Sequence, residues 1–207
     1  MDLVRGKARF VGDIQFPDML HACFVRSPHA HARIDSIDKR AAFESPGVVA
    51  VLTSHDIRGI AVRDRLDVAL PDRTYKQRRD RFILAADETV HVGEAIAMVL
   101  ATDAYIAEDA AALVEVQFGL LPAVSDCRTA LEPMAPRVHR DAPDNLVAVF
   151  ATGYGDVDTA FAGAAHVVKE SYWPHRGCAH SMECRGCVAV YDRVDDNTRY
   201  GARRRHP

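Results

Sequence analysis

Residues 84–118 read LAADETVHVGEAIAMVLATDAYIAEDAAALVEVQF, and the period of their apolar positions changes twice. After Gly93, residues 94–101 (EAIAMVLA) form a near-continuous apolar run of strand length, as a strand covered on both faces requires. Thr102 or Asp103 can then cap a helix ending near Leu113, because a side-chain oxygen there accepts from amides of the first turn. Ile106, Ala110 and Leu113 fall on one face of that helix. Val114, Val116 and Phe118 alternate with Glu115 and Gln117, the period-two pattern of a half-buried strand. Strand, helix and strand in this order predict a right-handed crossover, with the helix covering one face of a sheet.

Toward the amino terminus the pattern stays strand-like. Residues 9–11 lead into a Gly12-Asp13 turn, and residues 19–26 (MLHACFVR) set Leu20, Ala22 and Phe24 against His21, Cys23 and Val25. Both faces of this segment are partly apolar, which predicts a largely buried strand. Ser27-Pro28 ends it, since proline lacks an amide hydrogen and restricts the residue before it. A second strand is expected over 30–37 and a short helix over 39–44, stopped by Pro46-Gly47. An apolar strand should follow over 48–53, then a helical turn over 55–57 capped by Ser54. Residues 58–82, dense in arginine and carrying four aspartates, lack periodicity and read as a long exposed loop.

On the carboxyl side, residues 123–145 are proline-rich, with a short helix expected over 126–131. Asp156 is placed to cap a helix over 157–162, and strands are expected over 166–173 and 187–191. Those elements are too few to bury a core of their own. The expected class is α+β. A mixed sheet with covering helices occupies 1–123, a connector 124–144, an incomplete second α/β block 145–192, and an atypical basic tail 193–207.

Composition narrows the function classes. With 207 residues, 48% of them hydrophobic and 27% charged, the chain has the balance of a soluble globular protein. A net charge of −3 gives no reason to expect nucleic acid or an anionic membrane as partner. No apolar run approaches the ~20 residues that span a bilayer, and the opening MDLVRGKARF shows no secretory leader. Five cysteines, an odd number, do not suggest a disulfide framework, so a reduced cytoplasmic protein is expected.

Several residue groups invite a chemical role. His175, Cys178, His180, Cys184 and Cys187 offer the ligand types of a tetrahedral zinc site. Their spacing is cramped, and a strand starting at Cys187 would send Cys184 and Cys187 to opposite faces. His29 and His31 share a face, yet no carboxylate or cysteine lies beside them in sequence. Glu94, behind Gly93, is the kind of turn carboxylate whose pKa burial raises, but accepting from backbone amides is the expected role. Gly153-x-Gly155-Asp156 lacks the third glycine of a phosphate cradle, and Asp156 would repel phosphate, so a turn and helix cap are expected. No residue is therefore assigned as catalytic, cofactor-binding or metal-ligating.

Five stretches carry a resemblance: residues 6–38 (GKARFVGDIQFPDMLHACFVRSPHAHARIDSID), 84–118, 121–126 (LPAVSD), 155–172 (GDVDTAFAGAAHVVKESY) and 180–192 (HSMECRGCVAVYD). In this order they resemble the opening of the large subunit of the xanthine dehydrogenase, aldehyde oxidase and aerobic carbon monoxide dehydrogenase family. There an α/β hammerhead domain precedes the first strands of the molybdopterin-binding region. The resemblance implies a molybdenum ion held by a pterin dithiolene, hydroxylation of a carbon centre with oxygen from water, and iron–sulfur and FAD partners. It also implies that the opening domain is scaffold, with the catalytic glutamate and the substrate pocket in later sequence. A fragment inactive alone and without a cofactor of its own is the expectation; a non-catalytic docking module, or a small zinc-binding protein, is the alternative. Two departures stand out. Residues 181–186 (SMECRG) replace the family's proline-flanked segment, and residues 193–207 (RVDDNTRYGARRRHP) do not resemble the strand that follows in the family. A truncated or frameshifted product departing near Arg193 is expected, with self-association through Val167, Val168, Trp173 and Val188–Val190.

Overall fold

The computed structural model describes residues 4–66, 74–77, 79–173, 177, 185–194 and 197–201. The chain divides into two compact units, Leu20–Gly153 and a second formed by Met1–Met19 with Tyr154–Pro207.

In Leu20–Gly153 the elements are β1 (His21–Arg26), β2 (Ala32–Asp38), α1 (Arg40–Phe43), β3 (Val48–Thr53), α2 (Ser54–Ile57), β4 (Arg65–Leu66), β5 (Arg81–Phe82), β6 (Glu88–Thr89), β7 (Ala95–Ala101), α3 (Ala104–Ala112) and β8 (Glu115–Leu120). Two three-stranded sheets, β1-β7-β3 and β6-β2-β8, carry the unit, and β4 pairs with β5. These pairings are all antiparallel. The α+β class with covering helices is the one expected.

The apolar run over 94–101 is the central strand β7, where Ile96, Ala97, Val99 and Ala101 have no solvent exposure. Ile96 and Ala97, which point to opposite faces, are both fully buried, so the missing alternation reflects protein on both faces of the strand. β1 is different. It is an edge strand whose exposure alternates and whose Phe24 is 39% exposed, so the expected burial of residues 19–26 is corrected. The expected right-handed crossover is also corrected. β8 leaves the sheet of β7 and pairs antiparallel with β2, so α3 connects two sheets and does not cross over within one.

The hydrophobic core joins both sheets. Ala42 of α1, Val51 of β3, Val99 of β7, Ala110 of α3 and Val114 are buried together, with Val25, Ile37, Val48 and Val116 packed against them. Alanines at the helix positions let α1 and α3 approach the strands closely. Asp103 caps α3 by accepting from the Tyr105 amide at 2.8 Å, as the sequence predicts. The cap of α2 is Thr53 and not Ser54. Asp56 Oδ2 reaches back to accept from the Thr53 amide and hydroxyl, each at 2.7 Å, which draws Thr53 into the capping position. Gly47 has φ +86°, and a Cβ there would lie 2.9 Å from Ile106 Cδ1, so this turn before β3 admits only glycine without strain.

Residues 126–131 are turns in place of the expected helix. Asp126 Oδ1 accepts from the Arg128 amide at 2.9 Å, a local bond that competes with helical pairing. Within residues 58–82 the described part is irregular apart from β4 and β5. Arg65 lies over the Phe82 ring at 3.7 Å and thereby stiffens that pair.

The second unit contains α4 (Val157–Ala162) and a hairpin of β9 (Val188–Asp192) with β10 (Asn197–Gly201). Asp156 caps α4, accepting from the Thr159 amide at 3.1 Å. Residues 166–173 form no strand, correcting that expectation, and are exposed throughout. Val168 is 85% exposed and Trp173 67%. Residues 9–11 run into a 3₁₀ turn at Val11–Asp13 and not out of a strand.

Candidate functional site

The concentration of buried polar chemistry lies at the edge of the β6-β2-β8 sheet. β6 brings Glu88 opposite Arg33 of β2, and the backbone before β2 turns His31 inward until it is 6% exposed. His31 Nδ1 donates to the Pro122 carbonyl at 2.8 Å, since a carbonyl can only accept. In the neutral ring that bond puts the hydrogen on Nδ1 and leaves a lone pair on Nε2. Nε2 is buried without a hydrogen-bond partner and faces Glu88 Oε2 at 3.7 Å.

Residues 139–141 supply the other wall. Arg140 Nε donates to Glu88 Oε2 at 2.7 Å, and Arg79 Nη1 holds both oxygens of Asp141, at 2.9 and 2.8 Å. Glu88, His139 and Asp141 each present a ligand-type atom, and these lie within 4.8 Å of one another. Burial and the nearby Arg79 guanidinium push the His139 imidazole pKa down, against opposing pulls from Glu88, Asp141 and Glu94. The Arg79 hydrogen bonds hold the Asp141 carboxyl below its ordinary value.

The residues singled out in the sequence fall as follows. Glu94 Oε2 accepts from the Val90 amide at 2.6 Å and lies 3.5 Å from His91 Nδ1, so it serves the backbone amide that follows β6. His29 packs edge-on against Phe118 at 4.8 Å, while His31 enters the cluster. Asp156 is the helix cap expected of it. Cys187 is exposed with a free thiol; His175, Cys178, His180 and Cys184 lie outside the described residues. The trio of Glu88, His139 and Asp141 escaped sequence reading because some fifty positions separate Glu88 from the other two, and no local spacing ties them. The two-residue step from His139 to Asp141 is the one local hint.

Comparison with known proteins places this geometry. Residues 5–122 match the model of the aldehyde oxidase and xanthine dehydrogenase a/b hammerhead domain, and residues 138–205 match that of the molybdopterin cofactor-binding domain. The chain belongs to the aldehyde oxidase and xanthine dehydrogenase family. It is 38% identical over 202 residues to the nicotine 6-hydroxylase large subunit of Paenarthrobacter nicotinovorans, covering 94% of this chain and 23% of that one. It is 34% identical to the carbon monoxide dehydrogenase large chain of Afipia carboxidovorans, covering 92% of this chain and 24% of that one. Quinoline 2-oxidoreductase from Pseudomonas putida 86 superposes with a TM-score of 0.80 at 34% identity, over 95% of this chain and 25% of that one. The chain thus spans about a quarter of the length of the relatives it matches.

The family binds molybdopterin through the domain that residues 138–205 match. A pterin with its phosphate and dithiolene needs a cradle of amides and polar side chains turned toward it. Among the described residues of 151–194 all but Val188 and Asp192 are exposed, and none leaves a buried polar atom unpartnered. These residues do not form such a cradle. Among the described residues no helix is long and apolar enough to cross a membrane.

Proposed function

We propose that this chain is the opening, scaffold portion of a molybdenum hydroxylase large subunit and is inactive without the remainder of that subunit. The observation that carries this reading is the order of the two family matches, hammerhead first and molybdopterin-binding domain second. Leu20–Gly153 supports the scaffold role, because its polar groups serve caps, turns and ion pairs around a core of small apolar side chains.

The same reading divides the chain into a hammerhead domain over 1–123, a connector over 124–144, the start of a molybdopterin-binding domain over 145–192 and a basic tail over 193–207, of which Asn197–Gly201 pairs with β9 and residues up to 205 fall within the matched segment. The gap between the matched segments, from 122 to 138, supports placing a connector there. Partners are iron–sulfur and FAD-bearing subunits or domains, supported by relatives named as a large subunit, a large chain and a subunit gamma. Free thiols at Cys23, Cys127 and Cys187 support a reduced cytoplasmic setting.

The test is direct. Purified chain is analysed for molybdenum and pterin and assayed for substrate oxidation with an artificial electron acceptor. Neither molybdenum, pterin nor turnover is expected; stoichiometric molybdenum or pterin on the chain alone would rule the scaffold reading out.

A further inference from the structure

The bland account of the cluster at β6 is ion pairing, Arg140 with Glu88, Arg79 with Asp141, and His31 at 3.7 Å from Glu88. Two of its buried nitrogens have no hydrogen-bond partner, His31 Nε2 and Arg79 Nε. His31 is 6% exposed, its Nδ1–H is committed to the Pro122 carbonyl, and its Nε2 is turned toward Glu88 Oε2. An imidazole held through one nitrogen by a backbone carbonyl, with the other nitrogen free, is the arrangement by which proteins orient a metal-binding histidine. Two donors on one ion, each about 2 Å from it, stand about 3.3 Å apart in tetrahedral geometry. The 3.7 Å between His31 Nε2 and Glu88 Oε2 is close to that spacing.

We propose that Glu88, His139 and Asp141 form a binding site for a divalent transition cation of the zinc type, with His31 beside Glu88 on its buried side. The trio offers one imidazole and two carboxylates, and His31 brings a second imidazole to within 3.7 Å of Glu88. Imidazole nitrogen favours zinc-like ions over calcium or magnesium, which prefer all-oxygen shells. Each carboxylate has about four lone-pair directions, so it can serve a guanidinium and an ion together. The two arginines hold the carboxylates in place and also repel the ion. Affinity is therefore limited by them, and removing one should strengthen binding.

The test uses the 207-residue chain with Cys178→Ser, Cys184→Ser and Cys187→Ser, which removes thiolate ligands from the carboxyl-terminal block. Zinc chloride is titrated calorimetrically, and bound metal is counted after dialysis. One zinc per chain is expected in this background. His139→Ala, His31→Ala and Asp141→Asn should each weaken binding by about ten-fold or more. Arg140→Gln, which frees Glu88, should tighten it several-fold, a change that a purely structural cluster would not show. Asp141 is exposed and Asp141→Asn nearly isosteric, so this variant keeps the test decisive if His139→Ala fails to fold. The proposal is overturned if zinc binding vanishes with the cysteine substitutions, or if Asp141→Asn leaves the affinity unchanged. Either result would return the cluster to ion pairs.

Discussion

Ser27 Oγ and Thr89 Oγ1 lie 3.0 Å apart at the junction of the two sheets, the first 2% exposed and the second 0%. Ser27 Oγ also accepts from the His29 amide at 3.1 Å, so one hydroxyl closes the turn after β1 and ties it to β6. A buried hydroxyl left without its partner costs about 1–3 kcal/mol, whereas removing both partners together costs less. Ser27→Ala and Thr89→Val should each destabilise the domain by about 1–2 kcal/mol in urea unfolding. Their combination should cost clearly less than the sum, and strict additivity would show that the two hydroxyls are not coupled.

Gly47 combines a left-handed backbone with a packed neighbour. Its carbonyl accepts from the Thr102 amide at 2.9 Å, and an added Cβ would meet Thr102 Oγ1 at 3.0 Å as well as Ile106. Gly47→Ala should destabilise by about 2 kcal/mol or more, since both left-handed strain and overpacking apply. Gly59→Ala shares the positive φ but meets nothing within 4 Å, and should cost less. Equal losses in thermal melts would mean that packing contributes nothing at Gly47.

Acid should loosen the β3–α2 corner. Burial pushes the Asp56 carboxyl up, but the Lys39 ammonium at 2.5 Å and the Thr53 hydroxyl and amide outweigh it, leaving a pKa of about 2 against an ordinary 3.8. A carboxyl depressed in the folded state stabilises fully above the unfolded pKa, and that contribution is lost as pH falls through the folded value. Stability should therefore drop by about 1–2 kcal/mol between pH 4 and pH 2, after allowing for solvent screening of a partly open pair. Asp56→Asn should be less stable at pH 7 and flatter over that interval. A variant with the same acid slope as the parent would place the loss at another carboxylate.

Hydrogen exchange should separate the two units. Amides of β7 sit at the centre of a sheet among residues with no solvent exposure, whereas residues 151–173 are exposed throughout. Exchange in α4 should be faster than in β7 by orders of magnitude, because local opening there breaks few buried contacts. Comparable protection in both would show that the second unit is stabilised independently.

What could be read from the sequence follows from the range of each interaction. Val48–Thr53, Val157–Ala162 and the Asp103 cap were legible because a strand's burial and a helix's first turn are local patterns. Exposure of β1 was not, since its apolar residues are the same whether the strand is central or at an edge. The departure of β8 to the second sheet depends on its pairing with β2, which no helix-length spacing encodes. The same holds for the cluster at Glu88, whose members meet only after β6 docks on β2 and residues 139–141 fold back over it.

The strand order has a kinetic consequence. In both main sheets no strand pairs with its nearest neighbour in the chain: His21 faces Ala101, Thr53 faces Ala97, and Asp38 faces Glu115. During synthesis, β1, β2 and β3 leave the ribosome well before the strands that complete them. The domain cannot close until β8 has emerged, and until then its apolar edges stay open to chaperones and to other nascent chains. Translation speed beyond β3 should therefore influence how much of this protein reaches its folded state.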